Sequence, residues 1–422
     1  MPRLSQAGRA GPYHLRNPGP DISRMSNPFE QARDLFLEGV RLHEAGQYGE
    51  AEQRFQAALE LVPGRPSTLA NLGATRIKLG KPHEAIEALE QALSHDADAV
   101  DALQYRAVAL NMLGRHEAAL ADWTRVVRVQ PDPGTAWLLH GETLQQLDRH
   151  EEALASYDAA LARNPRLGQA WSRRGALLKD MGLHQEAAVA FQQAIDCGDD
   201  LELNRYFLAA LGGRDPPASP PRRYVEVLFD GYAEKFDEHL VEILNYQAHR
   251  VLVDQVAALA RRFEHALDLG CGTGLCGPLV KPMAQGLDGV DVSGNMLAKA
   301  EALGVYDRLV RDDAAHYLAT TSHRYDLALS ADVFIYVGAL EAVFDGVARV
   351  MKPGGVFCFS VELASDEQDF VLRPSQRYAH SERYLRALAL RHGFEIRSML
   401  RHPIREDQRQ PIPGLFVCLG AV

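Results

Sequence analysis

Five alanines stand 34 residues apart at Ala51, Ala85, Ala119, Ala153 and Ala187, and that spacing constrains the first half of this chain more than any other feature. In the same register a small residue recurs at Gly39, Gly73, Ala107, Gly141 and Gly175, and a bulky one at Phe55, Leu89, Trp123, Tyr157 and Phe191. Small residues let two helices approach, and bulky ones fill the gap between them. Prolines at Pro63, Pro131 and Pro165 stop the second helix of a unit, because proline has no N–H to continue it. Ala97 and Asp199 stand where two further prolines are expected. Trp137 and Trp171 share one early position in successive units. A unit of this length cannot bury its apolar face alone, so the units stack.

The register over about 170 residues resembles the tetratricopeptide repeat, in five units followed by a capping helix at 201–211. The resemblance implies an all-α solenoid over residues 28–211 whose concave face takes a protein partner. First-helix residues such as Arg33, Phe36, Asn71, Gln104, Asn111, Glu142, Gln145 and Lys179 are expected to line that face. They hold no cluster of lysine and asparagine suited to clamping a terminal carboxylate.

At 422 residues the chain is too long for one core. The proline-rich stretch 212–222 cannot be helical and reads as the boundary, leaving residues 223–422 as a second domain. Residues 1–27 are rich in arginine, proline and glycine and read as a disordered tail, with Met25 as an alternative start. A net charge of −11 argues against nucleic acid as a partner, and no apolar run is long enough to span a membrane. Five scattered cysteines, odd in number, give no disulfide framework and no zinc spacing, so a cytoplasmic chain without a metal is expected.

The second domain is organised around Ala266-Leu-Asp-Leu-Gly-Cys-Gly-Thr-Gly-Leu-Cys-Gly277. An apolar strand runs into Asp268 and then into Gly270, Gly272 and Gly274, the arrangement an open parallel sheet needs where a nucleoside cofactor crosses its first strand. A glycine loop alone also fits a dinucleotide fingerprint. Asp268 separates the two, because a carboxylate there repels a pyrophosphate and suits a ligand bearing an amine and a sulfonium, as S-adenosylmethionine does. A second strand ends at Asp291, 23 residues on, where a carboxylate can accept both ribose hydroxyls. Val292 and Met296 offer an apolar wall to an adenine. Asp313, with Asp312 as competitor, could accept from its amino group, and a helix N-cap is the other reading of either. Tyr325–Val337 reads as the fourth strand and its exit, Val350–Ser360 as a turn and the fifth, and 394–400 with 414–419 as a closing antiparallel pair.

With Lys352-Pro-Gly-Gly before the fifth strand, this set resembles the class I S-adenosylmethionine-dependent methyltransferases. The two halves together resemble bacterial predicted methyltransferases with tetratricopeptide repeats, whose own phrases look like Leu228-Phe-Asp-Gly-Tyr-Ala and Arg377-Tyr-Ala-His-Ser381. The resemblance implies a Rossmann-like α/β domain with a seven-stranded sheet, its last strand antiparallel, and S-adenosyl-L-methionine as cofactor. It places Tyr232, Asp268, Gly270, Cys271, Gly272, Gly274, Asp291, Val292, Met296, Asp313 and Ala314 around that cofactor, with the segment 224–240 as a lid. Asp332, Tyr336 and His380 are the candidates for catalytic groups, and Tyr384 stands beside them. The fourth-strand exit reads Ser-Ala-Asp-Val, which disfavours amino-nitrogen methylation of adenine or glutamine, and no Pro-Cys pair suggests cytosine chemistry. Methyl transfer to a protein or small molecule recruited by the repeats is the leading expectation. A nicotinamide-dependent oxidoreductase and an inert scaffold are the alternatives.

Overall fold

The computed structural model describes residues 27–132, 134–212, 215–236, 244, 246–407 and 409–422. Residues 1–26 of the expected tail, Met25 among them, lie outside the described residues. Two compact units divide at Pro165.

The first unit is built from paired helices: α1 (Pro28–Glu44), α2 (Tyr48–Leu61), α3 (Pro66–Lys78), α4 (Pro82–His95), α5 (Val100–Met112), α6 (His116–Val129), α7 (Gly134–Gln146) and α8 (His150–Arg163). The small-against-bulky register explains each pairing. A Cβ on Gly39 would lie 2.7 Å from the Phe55 ring, one on Gly73 2.5 Å from Leu89, and one on Gly141 2.7 Å from Tyr157. Ala107 and Trp123 make the same fit, and both are buried. α2, α6 and α8 end just before Pro63, Pro131 and Pro165. A second 34-residue rhythm appears in the turn inside each pair, where Gly46, Gly80 and Gly114 take φ of 77°, 70° and 70°. Asp148 holds that left-handed position in the fourth pair at φ 56°.

The second unit, Arg166–Val422, begins with the fifth helix pair, α9 (Gly168–Asp180) and α10 (His184–Asp196), and the capping helix α11 (Leu201–Ala210). α10 ends without proline on Gly198 at φ 81°, whose neighbour Asp199 returns its N–H to Ala194. Residues 215–221 of the proline-rich stretch are non-helical, as the composition requires, yet they are tied down. Gly338 and Ala339 donate their N–H groups to the Ala218 carbonyl, and the Tyr378 hydroxyl donates to that of Pro217. α12 (Arg222–Tyr232) and α13 (Ala248–Ala257) then lead into the sheet.

The sheet is formed by β1 (Phe263–Leu269), β2 (Ala284–Asp291), β3 (Arg308–Arg311), β4 (Tyr325–Ser330), β5 (Met351–Leu363), β6 (Phe370–Leu372), β7 (Tyr378–His380), β8 (Phe394–Asp407) and β9 (Gln410–Ala421). Its connecting helices are α14 (Gly277–Val280), α15 (Gly294–Ala302), α16 (Ala314–Thr320), α17 (Glu341–Val350) and α18 (Glu382–Arg391). Seven strands run in the order β3-β2-β1-β4-β5-β9-β8, with β9 antiparallel to both neighbours, the doubly wound order with its last strand reversed. One element goes beyond the seven. The short antiparallel β6–β7 hairpin joins the end of β5 through Glu362 and Leu363. Alternate residues of the central strands point to opposite faces, as the pleat dictates. Ala266, Leu327, Val356 and Cys358 pack beneath α13, while Leu267, Ala328, Phe357 and Phe359 pack against α17 and α18. The carboxyl ends of β1 to β4 are left facing one cavity.

Candidate functional site

The glycine bend after β1 is fixed by contacts that no other residue would tolerate. Gly270 has φ 73°, and a Cβ there would collide with the Val333 side chain. Gly270 and Cys271 both donate to the Val290 carbonyl, at 2.8 and 3.0 Å, strapping the bend to β2. Gly274, at φ 92°, packs against Leu303 and Tyr306. Gly272, at φ 54°, faces open space, so the backbone is bare on the cavity side.

Two carboxylates meet at this bend. Asp291, at the tip of β2, accepts the Gly272 N–H on Oδ2 and the Ser293 N–H on Oδ1, each at 2.9 Å. Each oxygen keeps a lone pair for a further donor. Burial raises its pKa, against the pull of those backbone bonds. Asp268 is 1% exposed and accepts the Tyr306 hydroxyl at 2.7 Å. Burial pushes its pKa up to about 7, the Tyr306 bond opposing and the nearby Asp291 charge adding.

Both line a cavity of about 800 Å³, together with Gly270, Cys271, Gly272, Val292, Met296, Asp312, Asp313 and Ala314. Asp313 is the N-cap of α16, accepting the His316 N–H at 3.0 Å, while Asp312 accepts the His316 ring at 2.6 Å. Among the described members of the expected set, Gly274 is the one that packs behind the bend instead of lining the cavity. α12 covers the cavity with Val225, Leu228 and Phe229. It is clipped in place by Asp230, which accepts the Ser293 hydroxyl at 2.6 Å and the Asn295 N–H at 3.3 Å. Tyr224, Val225, Leu228, Phe229 and Phe236 of the segment expected as a lid line the cavity, while the side chain of Tyr232 and residues 237–240 are outside the described residues.

The far wall comes from the exit of β4. Asp332, at φ 59°, lines the cavity, and both its oxygens accept Arg405 at 3.1 and 2.8 Å. Arg405 also donates to Glu362, which accepts Arg373 at 2.7 Å. Burial raises the Asp332 pKa and the Arg405 charge opposes it. Tyr336 lines the same wall, its ring edge-on to Phe229 at 5.2 Å. His380 is not brought to the cavity. It is wholly buried in β7, with Nε2 2.9 Å from the carbonyls of Val337 and Gly338 and its ring stacked on Tyr384. Burial pushes its pKa down to about 4, so it is a neutral brace for the β4 exit loop rather than a group facing a ligand. Tyr384 likewise accepts the Leu340 N–H and donates to Glu341, each at 2.8 Å.

Sequence reading missed Arg405 and Glu362 and gave Arg377 no site role, yet all three are drawn to this wall. The signal available was a charge inside an apolar strand, Glu362 after Val356-Phe-Cys-Phe-Ser-Val. A separate group with metal-ligand spacing, His265, Asp288 and His323, lies outside the cavity lining, and its Asp288 is already paired with Arg308 at 2.9 Å.

Residues 267–359 match the family model of a methyltransferase domain, and residues 42–109 and 138–202 match tetratricopeptide-repeat models. The chain carries tetratricopeptide repeats followed by a methyltransferase domain. It is similar to the malonyl-[acyl-carrier protein] O-methyltransferase of Enterobacter lignolyticus, 30% identical over 155 residues, which are 35% of this chain and 61% of that protein. It is also similar to tetratricopeptide repeat protein 36 of Danio rerio, 35% identical over 100 residues, 23% of this chain and 54% of that protein. The chain thus spans little more than half the length of these curated relatives. Among solved structures, a thermophilic TPR protein of Thermus thermophilus matches 43% of this chain and 98% of its own, at 25% identity and a TM-score of 0.36. Among the described residues, no helix is long and apolar enough to cross a membrane.

Proposed function

We propose that the α/β domain binds S-adenosylmethionine in this cavity and transfers its methyl group to a protein or small-molecule acceptor that the repeats help to recruit. The observation that carries the reading is the convergence of Asp268 and Asp291 on one bare glycine bend. In this reading Asp268 faces the cofactor's ammonium group, and Asp291, held open by two backbone bonds, accepts the ribose hydroxyls with its remaining lone pairs. Val292 and Met296 flank the adenine, and Asp313 or Asp312 takes its amino group. The cofactor would supply an electrophilic methyl on a sulfonium.

The protein's own contribution is mostly positional. A cavity lined by α12 and by the exits of β1 to β4 would align an acceptor with the methyl group and shield it from water, which can supply most of the acceleration of a displacement. A pyrophosphate-bearing nicotinamide cofactor fits poorly, because its negative charge would meet two carboxylates at the bend. The test is incubation of the intact chain with methyl-labelled S-adenosylmethionine and cell extract. Label should move into an acceptor only when the chain is present. Binding of NADH in place of S-adenosylhomocysteine would instead favour the oxidoreductase.

A further inference from the structure

The β6–β7 hairpin, the addition to the seven-stranded sheet, delivers a cation to the Tyr336 wall of the cavity. Its tip turns at Gln376, which takes φ 61°, and closes with the Arg373 N–H on the Arg377 carbonyl at 2.9 Å. Two tyrosines pin this turn. The Tyr206 hydroxyl of α11 donates to the Gln376 carbonyl at 2.5 Å, and the Tyr224 hydroxyl of α12 bonds the Gln376 side chain at 2.7 Å. Their rings are 5.7 Å apart, and Tyr378 lies 6.4 Å from Tyr206, so a packed aromatic group fixes the loop. Arg377, next in the chain, lines the cavity beside Tyr336.

Charge at this end does not cancel. Asp332 and Glu362 are matched by Arg405 and Arg373. Arg377 bonds Tyr336 and acts on Asp332 through space, and among the described residues no carboxylate lies within ion-pair distance of it. The two side chains beside Arg377 are already engaged. Both Asp332 oxygens are held by Arg405, and Tyr336 is kept in its neutral form by burial. A nucleophile that is already an anion at neutral pH suits such a wall.

Resting on the proposed binding of S-adenosylmethionine, we infer that the acceptor is a carboxylate, oriented by Arg377 with Tyr336 and converted to its methyl ester. One carboxylate oxygen is held by the guanidinium and the phenol. The other directs a lone pair at the methyl carbon, forming C–O as C–S breaks. The bonding pair stays on sulfur, which passes from sulfonium to neutral thioether, and no proton moves. An anion and a cation become two neutral products, so a water-excluding cavity favours the step.

Two measurements separate this inference from the reading beneath it. Calorimetry with S-adenosylhomocysteine reports the cofactor site, and its failure would retire the cofactor reading itself. The second measurement takes the methyl-labelled product formed in cell extract and treats it with mild alkali. A methyl ester releases its label as volatile methanol, whereas N-, C- and S-methyl products keep theirs. We expect volatile label. Arg377→Ala should lower it more than tenfold, as loss of a charge-assisted bond does, and Arg377→Lys should restore part of it. Both variants should bind S-adenosylhomocysteine as the parent does. Bound donor with no volatile label, or volatile label unchanged by Arg377→Ala, overturns the carboxylate assignment.

Discussion

Asp268→Asn replaces one buried oxygen by an amide and should move stability and cofactor affinity in opposite directions. In the folded chain burial lifts the Asp268 pKa from 3.8 to about 7. Between those values the folded state holds a proton that the unfolded state has lost, so stability falls as pH rises through the window. Above it the buried charge remains as a cost of roughly 4 kcal/mol. Asparagine carries no such charge, and its carbonyl can still accept the Tyr306 hydroxyl. At pH 8 the variant should therefore be more stable by roughly 2–4 kcal/mol, the lower figure allowing for an imperfectly bonded amide nitrogen. The gain should shrink by about half or more at pH 5, where the folded parent is already protonated. All three tryptophans (Trp123, Trp137, Trp171) lie in the repeats, so fluorescence would report on the wrong helices. Amide exchange over residues 263–291 localises the effect, and β1 amides should exchange at least about thirtyfold more slowly at pH 8. S-adenosylhomocysteine affinity, measured alongside, should fall more than tenfold, because an amide cannot pair with an ammonium. An Asp268→Asn variant that exchanges as fast as its parent at pH 8, or binds as tightly, would refute this reasoning.

Three further outcomes are expected. Asp148→Gly puts glycine at the left-handed turn position that Gly46, Gly80 and Gly114 occupy, and should stabilise the first unit by about 0.5–1 kcal/mol in chemical denaturation. Removing residues 1–165 should leave S-adenosylhomocysteine affinity within about twofold while lowering methylation of a protein acceptor, because Arg166–Val422 is a compact unit by itself. Cutting instead at 222 should weaken binding, since that deletion takes away Tyr206 and the Ala218 carbonyl that hold the loops at the cavity rim.

The repeats were readable because their packing is periodic. A glycine at 39 or 73 and a bulky residue 16 positions later are two halves of one contact, and the contact recurs wherever the spacing does. The glycine bend was readable for a related reason: Gly270 meets Val333 at a distance no side chain permits, so its identity is dictated locally. The left-handed turn glycines at Gly46, Gly80 and Gly114 carried a signal that reading for core residues passes over. The far wall was readable only in part: Asp332 and Tyr336 were expected there, and their partner Arg405 was not. Arg405 reaches Asp332 across 73 residues, and nothing in a local pattern says which of the chain's arginines enters the core. His380 misled because a histidine near a predicted substrate edge reads as a ligand group, whereas here its strand is three residues long and buried on every side. The β6–β7 hairpin escaped notice for the same cause: Phe370–Leu372 and Tyr378–His380 are too short to show alternation, and their pairing is set by β5 and by Tyr206. The proline-rich stretch reads as a hinge from composition, but its carbonyls are acceptors for β4-exit amides, and composition does not disclose where acceptors point.

The central claim is that the bend, Asp268 and Asp291 form one site for a sulfonium nucleoside. Calorimetric titration of the intact chain and of Asp291→Ala with S-adenosylhomocysteine tests it most directly. The account predicts one binding site in the parent and an affinity more than tenfold weaker in the variant, the worth of a carboxylate hydrogen-bonded to ribose. No binding by the parent, or equal affinities in the two, would contradict it.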